Sequence, residues 1–170
     1  MTETPQAYTA RILSNLAGRD PMQILASTPS RLGELIDGRT LDELARTPDP
    51  SRWSVAQILA HLADAEIVGA WRFRSILASD GVPVQAYDQD VWADTFRYAD
   101  VDPHASLHLF EVNRAATLSL LARVDPALRA NHGMHAERGK ETIEHLARMY
   151  AGHDLNHLAQ VERLIAEAGR

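Results

Sequence analysis

The sequence predicts an all-α protein, a four-helix bundle with one long connection between its second and third principal helices. Helix-start signals recur along the chain, and four segments are long enough to be bundle helices. The irregular stretch GVPVQAYDQDVWADTFRYAD separates the second of these segments from the third. No window shows the sustained alternation of β-branched residues that is typical of strands, so we expect no β-sheet.

The first helical segment is predicted to be interrupted. Asp20 followed by Pro21, and Thr28 followed by Pro29, each have the form of an N-cap and a first helical residue. Gly38 then ends the segment. We therefore expect a break in the helix near Pro29.

Capping signals delimit the other helices. The sequence TLDE at 40–43 has the form of a capping box and opens a short helix, and Ser54 with Gln57 forms a second box. Asp102 and Pro103 start the third bundle helix. The three long helices are expected at about 55–79, 103–125 and 142–168.

Length and composition bear on domain organisation. The chain has 170 residues, of which 45% are hydrophobic, and this is the size of about one domain. We therefore treat residues 1–170 as a single domain, in which 1–19 form an N-terminal extension and 20–170 form the bundle.

Charge and cysteine content exclude several classes of partner. The net charge is −6 and no run of Lys or Arg occurs, so a phosphate backbone would be repelled and nucleic acid is not expected. No cysteine is present, so any thiol chemistry would need a thiol from outside the chain. No apolar run approaches the roughly 18 residues of a membrane span, and the N-terminus has no leader-like pattern. We expect a soluble, cytoplasmic protein without a membrane partner.

Two histidines of the last helix, His153 and His157, stand where a bundle helix would carry core residues. The stripe that contains them alternates steps of three and four residues and comprises Ile143, Leu146, Tyr150, His153, His157, Gln160 and Leu164. The two histidines are about 6 Å apart along the helix axis, so both imidazoles can converge on one ion.

The second principal helix carries a third inward histidine, His61. Three neutral imidazoles on facing helices suit a divalent metal and leave positions open for water or substrate. Core histidines held by hydrogen bonds are the alternative, although three imidazoles without partners would be costly to bury. Gln160 and Asp64 are candidates to orient the ligands, Asp64 by accepting the remaining ring N–H of His61; simple hydrogen bonding at a helix surface is the alternative for both.

The other histidines are expected to lie outside this site. His104 and His108 also stand four residues apart, but they flank the inward stripe of their helix and should be exposed. His145 precedes the histidine pair by two turns, about 12 Å along the axis, which is too far to share an ion. His132 and His135 are expected in a solvated loop, although such a pair can also bind a metal.

Two arginines fall on inward stripes, where a guanidinium needs a carboxylate or an anionic ligand. The expected arrangement pairs Arg72 and Arg114 with Glu66 and Glu111. The alternative is an anion site for an acidic substrate.

The long connection carries YDQD at 87–90, with Trp92 and Tyr98 nearby. Long ordered connections in small domains often form lids or binding loops. The alternative is that Asp88 caps a turn while the aromatic residues close one end of the bundle.

Three segments of the chain resemble the DinB-like family, the DinB/YfiT metalloprotein superfamily. They are WSVAQILAHLADAE at 53–66, HAERGKETIEHL at 135–146 and GHDLNHLAQVERL at 152–164. The resemblance extends from about residue 20 onward. It implies the DinB four-helix bundle with a long crossover between the second and third helices, and it maps the three-histidine metal site of the family onto His61, His153 and His157.

The resemblance also implies a range of activities. Family members with assigned roles use the metal to activate a small thiol or a water, and they include bacillithiol transferases, mycothiol-dependent maleylpyruvate isomerases and metal-dependent hydrolases. A divalent ion (zinc, nickel, iron or manganese), a small-molecule substrate and a low-molecular-weight thiol are therefore expected. No inward stripe offers an indispensable carboxylate as general base, which slightly favours thiol transfer. Asp64, Asp88 and Asp90 keep hydrolysis open.

The alternative function is a non-catalytic, stress-related bundle with a structural or absent metal, which acts through dimerisation or partner binding. A closed site with a fourth protein ligand would favour that alternative. An open position beside a cavity with Trp92, Tyr98 or Arg72 would favour an enzyme. Because the family often forms dimers, we expect a homodimer.

Overall fold

The computed structural model describes residues 3–47, 49 and 51–168. The predicted domain limits, 1 and 170, lie outside these described residues. Four long helices form a bundle: α2 (Pro21–Ile36), α4 (Val55–Ala78), α6 (Pro103–Arg123) and α7 (Ile143–Ala168). The shorter helices are α1 (Pro5–Ser14), α3 (Leu41–Ala45) and α5 (Gln89–Thr95). The predicted four-helix bundle is confirmed, with the long crossover between α4 and α6.

The helices begin where their capping residues predict. The Ser54 hydroxyl accepts the backbone N–H of Gln57, and the Gln57 side chain accepts the N–H of Ser54, which completes the predicted capping box of α4. Asp102 caps α6 by accepting the N–H of His104. Helix α4 packs mainly against α6, and α2 packs mainly against α7.

The predicted break at Pro29 is wrong, because α2 continues through this proline. Thr28 does not act as a cap; its hydroxyl donates to the carbonyl oxygen of Ile24 inside the helix. Proline has no N–H for the carbonyl of Leu25, four residues earlier. The guanidinium of Arg114 donates to that oxygen instead, with a nitrogen–oxygen distance of 3.0 Å. A contact from another helix therefore compensates for the missing helical bond.

The expectation of no sheet is also wrong. Strands β1 (Val82–Val84), β2 (His132–His135) and β3 (Gly139–Thr142) form a sheet in that order, with β1 and β2 parallel and β2 and β3 antiparallel. Strands of three or four residues are too short to show an alternating pattern. Strand β1 is also distant in sequence from its partner β2, since α6 lies between them. The sheet closes one end of the bundle.

The core consists of two main apolar clusters that divide along α7. Leu146 and Ala151 belong to the cluster at one end of the bundle, and Leu158 and Val161 belong to the other. Leu155 packs against both. The segment 153–157 therefore lies at the boundary between the two clusters, where polar side chains interrupt the apolar core.

Helix α1 packs against α7 and covers this boundary. Ile12 of α1 is buried, and a Cβ atom at Gly152 would overlap its carbonyl oxygen. The Asn15 amide donates to the carbonyl of Gly152. The described part of the predicted N-terminal extension, residues 3–19, thus supplies one wall of the region around His153. None of the described helices is both long and apolar enough to cross a bilayer.

Candidate metal centre

The structure brings His61 of α4 together with His153 and His157 of α7. The Nε2 atoms of His61 and His153 are 3.0 Å apart, and those of His153 and His157 are 3.1 Å apart. Within the described residues, these three side chains are the group whose donor atoms could hold a metal, all within 4.8 Å of one another. The separate stripes on the two helices therefore meet at one point.

These distances suit a shared ion. Two nitrogens that are each about 2.1 Å from one metal ion lie about 3.0 to 3.4 Å apart for bond angles of about 90 to 109°. Without an ion, three imidazole nitrogens that point at one another bring lone pairs against lone pairs or N–H groups against N–H groups, and they cannot all form hydrogen bonds. The donor set therefore fits a divalent metal of the type that accepts imidazole ligands.

The surroundings keep these imidazoles neutral, which is the form that binds a metal. Burial, followed by the nearby His157, lowers the pKa of His61 to about 3. Burial lowers the pKa of His157 to about 4, although the hydrogen bond to Gln160 acts in the opposite direction. Burial and the two neighbouring histidines hold the pKa of His153 well below its usual value.

Gln160 lies where the sequence places it. Its Oε1 atom is 2.7 Å from Nδ1 of His157. Because an amide oxygen only accepts, Nδ1 carries the proton and Nε2 of His157 presents its lone pair toward the other two histidines. Gln160 thereby selects the tautomer in which Nε2 can act as a ligand.

Asp64 does not take the role that the sequence predicts. Its carboxylate accepts a hydrogen bond of 2.7 Å from the Tyr98 hydroxyl, and Nδ1 of His61 has no hydrogen-bond partner among the described residues. The tyrosine comes from a short 3₁₀ turn in the crossover, Tyr98–Asp100, which the sequence did not place beside α4. Asp64 therefore binds Tyr98 of the crossover instead of His61, the residue one turn away on its own helix.

A cavity of about 600 Å³ reaches the histidines from one side. His61 and His153 line it, together with Arg72 and Tyr150 from the same two helices. Its remaining wall comes from α1, the crossover and the β2–β3 turn, with lining residues that include Tyr8, Tyr87, Asp88, Glu137 and Arg138. The site therefore opens to a space of the size that small-molecule ligands occupy.

The sequence did not identify three of these contributors. Tyr8 belongs to the segment predicted to precede the bundle, and Glu137 and Arg138 belong to the turn between two strands that were not expected. The motif HAERGKETIEHL marks the turn, but its position beside α4 depends on the sheet. No local signal in α1 indicates that it covers α7.

The two inward arginines have different surroundings. Arg114 is 2% exposed and pairs with Glu66 at 2.8 Å and with Asp154 at 2.6 Å. Glu111, the other predicted partner, lies 3.9 Å from His108 near the surface. Arg114 therefore finds its second carboxylate on the adjacent α7. Arg72 forms no ion pair within the described part of the chain.

The remaining histidines lie away from the cluster. His104 and His108 are exposed, as expected. His132 and His135 lie on β2 instead of in a solvated loop, and they have different partners. His132 pairs with Asp80 at 2.7 Å, whereas His135 is buried and its Nδ1 accepts backbone N–H groups from the following turn.

The YDQD stretch at 87–90 combines the two roles expected of it, a helix cap and a wall of a binding cavity. Asp88 caps α5 by accepting the N–H groups of Asp90 and Val91. Tyr87 stacks on Trp92, with ring centroids 4.4 Å apart, and also lines the cavity. The crossover is therefore an ordered wall of the cavity that is held by a capped helix.

The fold and the histidine cluster define a class: four-helix bundle proteins with a candidate three-histidine metal site. The sequence profile of the DinB superfamily matches residues 24–161 of this chain. The chain belongs to the DinB superfamily, as the sequence resemblance implied.

Curated relatives of this chain carry a common description. "Putative metal-dependent hydrolase YfiT" of Bacillus subtilis is 25% identical over 150 residues, which cover 87% of this chain and 84% of YfiT. "Putative metal-dependent hydrolase BH0277" of Halalkalibacterium halodurans is 26% identical over 141 residues, which cover 83% and 82% of the two chains. The metal-dependent description of both relatives agrees with the nature of the histidine cluster.

The solved structure of YfiT from Bacillus subtilis has the same fold. It superposes with a TM-score of 0.80 at 23% identity, covering 88% of this chain and 86% of that one. Its topology is described as an unusual four-helix bundle. This similarity supports the fold, including the long crossover, and does not by itself indicate the chemistry.

Proposed function

We propose that this protein is a metal-dependent hydrolase of a small molecule, with a divalent ion held by Nε2 of His61, His153 and His157. The observation that carries the proposal is the convergence of three neutral imidazoles, two of which, His61 and His153, line an open cavity. When bound, the ion supplies Lewis-acid chemistry that generates a nucleophile from water or from a thiol at neutral pH.

The protein contributes orientation and a shaped cavity. Gln160 holds His157 in the ligand tautomer, and burial keeps His61 and His153 neutral. Helix α1 covers the outer side of α7 and limits the access of water to the cavity through Tyr8. The open side leaves room for a substrate beside the histidines.

Hydrolysis requires a group that accepts a proton from water. No inward stripe of the sequence offers such a carboxylate. Taken alone, that lack slightly favours thiol transfer over hydrolysis. In the folded protein, however, Asp88 and Glu137 reach the cavity from the crossover and the β2–β3 turn. The carboxylates of the wall, together with the hydrolase description of the relatives, support water as the nucleophile.

The first experiment is elemental analysis of untagged protein purified without chelators, compared with the His61/His153/His157 triple alanine variant. We expect about one equivalent of a transition metal in the native protein and its loss in the variant. A native protein without metal, even after reloading with zinc, nickel, iron or manganese, would contradict the proposal and support the non-catalytic bundle.

Metal-loaded protein then distinguishes the two nucleophiles. A panel of activated carboxylic esters tests hydrolysis, and an electrophilic aryl chloride with added low-molecular-weight thiol tests transfer. We expect metal-dependent ester hydrolysis that the triple variant lacks. Activity that appears only with the thiol would replace the hydrolase proposal with thiol transfer. The homodimer and the cytoplasmic location stay predictions, and light scattering measures the first.

A further inference from the structure

Arg72 lies buried in the wall of the candidate catalytic cavity, and no carboxylate of the described residues neutralises its charge. The residue is only 5% exposed, and its Nε atom has no hydrogen-bond partner among the described residues. One terminal nitrogen donates to the carbonyl oxygen of Gln85. No carboxylate of the described chain pairs with it, in contrast to Arg114, which is equally buried and has two.

The neighbouring side chains do not supply the missing negative charge. Nδ1 of His135 accepts the N–H groups of Glu137 and Arg138, so the proton of this imidazole is on Nε2. That Nε2 lies 3.4 Å from Arg72, where two donors face each other. The carboxylate of Glu141 is bonded to Arg138 at 2.7 Å. Among the described residues, the surroundings of Arg72 therefore hold several N–H donors and no carboxylate that pairs with it.

Arg72 lines the same cavity as the histidines. Its Cα atom is about 16 Å from that of His61 along α4, since eleven residues separate them at about 1.5 Å each. The arginine side chain leans toward the N-terminus of its helix, as helical side chains do, which brings the guanidinium closer to His61. Tyr150 lies between the two, because it contacts the backbone of α4 at Gly69 and precedes His153 by one turn. One molecule can therefore extend from the histidines to Arg72.

We propose that Arg72 binds a carboxylate group of the substrate, at the end of the cavity away from the histidines. This inference rests on the proposed function for the identity of the cavity as a substrate site. A guanidinium that retains a free Nε edge is suited to a planar carboxylate. One unpaired positive charge matches one negative charge, and the acidic side chains Asp88 and Glu137 in the same wall disfavour a phosphate dianion.

The test observes the Arg72 Nε–H group directly by heteronuclear NMR. Protein labelled with ¹⁵N is loaded with zinc and titrated with benzoate, and the Arg72 signal is assigned as the one that the Arg72→Lys variant lacks. We expect a saturable shift of this signal with benzoate and none with benzamide, which has the same shape without the charge. Inorganic phosphate should act more weakly than benzoate.

Two variants serve as matched controls. Arg72→Met should lose the saturable response to benzoate in the signals of the other cavity residues, while Arg74→Met should retain it. Arg74 is on the same helix but is exposed, and it donates to the carbonyl of Ala70. An equal response to benzamide, a response retained in Arg72→Met, or no response of the wild type would overturn the inference. Stronger binding of phosphate would overturn the choice of a carboxylate.

The outcomes separate this inference from the proposed function. Metal content is measured on the same samples, and Arg72→Met should keep the metal content of the wild type because Arg72 lies three turns from His61. A benzoate response in a protein that binds no metal would refute the metal centre and leave the anion site in place. A protein that binds the metal but does not respond to benzoate would refute the anion site and leave the metal centre in place.

Discussion

The guanidinium of Arg114 donates to the carbonyl oxygen of Leu25, the atom that Pro29 leaves without its helical hydrogen bond. The same side chain binds Glu66 of α4 and Asp154 of α7. Arg114 therefore links all four bundle helices through one charged group. It also fixes the residue adjacent to His153 and so connects the packing of the bundle to the candidate metal centre.

Replacement of Arg114 should strongly destabilise the protein. Arg114→Met would leave the carboxylates of Glu66 and Asp154 buried without a cation, a change that costs about 3 to 5 kcal/mol for a buried pair. We expect a clear decrease in the free energy of unfolding in urea. Arg123→Met removes an exposed arginine of the same helix and should have little effect. Similar stabilities of the two variants would show that the network contributes little.

Loss of one histidine of the cluster should reduce metal binding without loss of the fold. In His153→Ala the metal content should fall well below one equivalent, because two imidazoles bind a divalent ion more weakly than three. Helical circular dichroism should be retained, since apolar residues dominate the rest of the stripe. His104→Ala changes an exposed histidine and should keep the metal content. Collapse of the fold in His153→Ala would indicate a structural role.

Gln160 should control the affinity of the site for its metal. Gln160→Met removes the acceptor that orients His157, and partners of this kind typically contribute about 10- to 100-fold in metal affinity. Competition with a chromogenic chelator measures the affinity of both proteins for zinc. Gln160→Glu keeps an acceptor for Nδ1 and should retain most of the affinity. An unchanged affinity in Gln160→Met would show that packing alone orients the ring.

The metal-free protein should lose stability as the pH falls below about 6.5. The pKa of His61 is about 3 and that of His157 about 4 in the folded state, both below the usual value of 6.5. The unfolded chain therefore binds more protons in this interval, and the free energy of unfolding decreases by up to about 1.4 kcal/mol per pH unit for each histidine. Urea unfolding between pH 7 and pH 4, on about a unit grid, measures the slope. The triple alanine variant should show a smaller slope.

Gly152 should be required for the position of α1. A methyl group at this position would overlap the carbonyl oxygen of Ile12, so Gly152→Ala should displace α1 from α7. We expect faster backbone hydrogen exchange in residues 5–14 and a lower free energy of unfolding. Gly33→Ala is the matched control, since its Cβ would be 4.0 Å from the nearest atom, on Leu107, and alanine favours a helix. Equal exchange in both variants would contradict the close packing.

Local features of the sequence are enough to predict which residues face the core and where the long helices begin. Capping residues and the alternation of three- and four-residue steps are local features. The helix starts at Ser54 and Asp102 and the stripe through His153 and His157 could therefore be predicted without a structure. The position of His61 on the inward stripe of α4 could be predicted for the same reason. Membership of the DinB superfamily agrees with the motifs that carry these residues.

The contacts between elements that are distant in the chain could not be predicted from local patterns and are seen only in the folded protein. The continuity of α2 at Pro29 depends on Arg114, the partner of Asp64 is Tyr98 of the crossover, and the sheet pairs strands on either side of α6. That no carboxylate of the described residues pairs with Arg72 also follows from the folded arrangement. Each of these outcomes depends on groups that a single helix does not bring together, so local periodicity carries no signal for them.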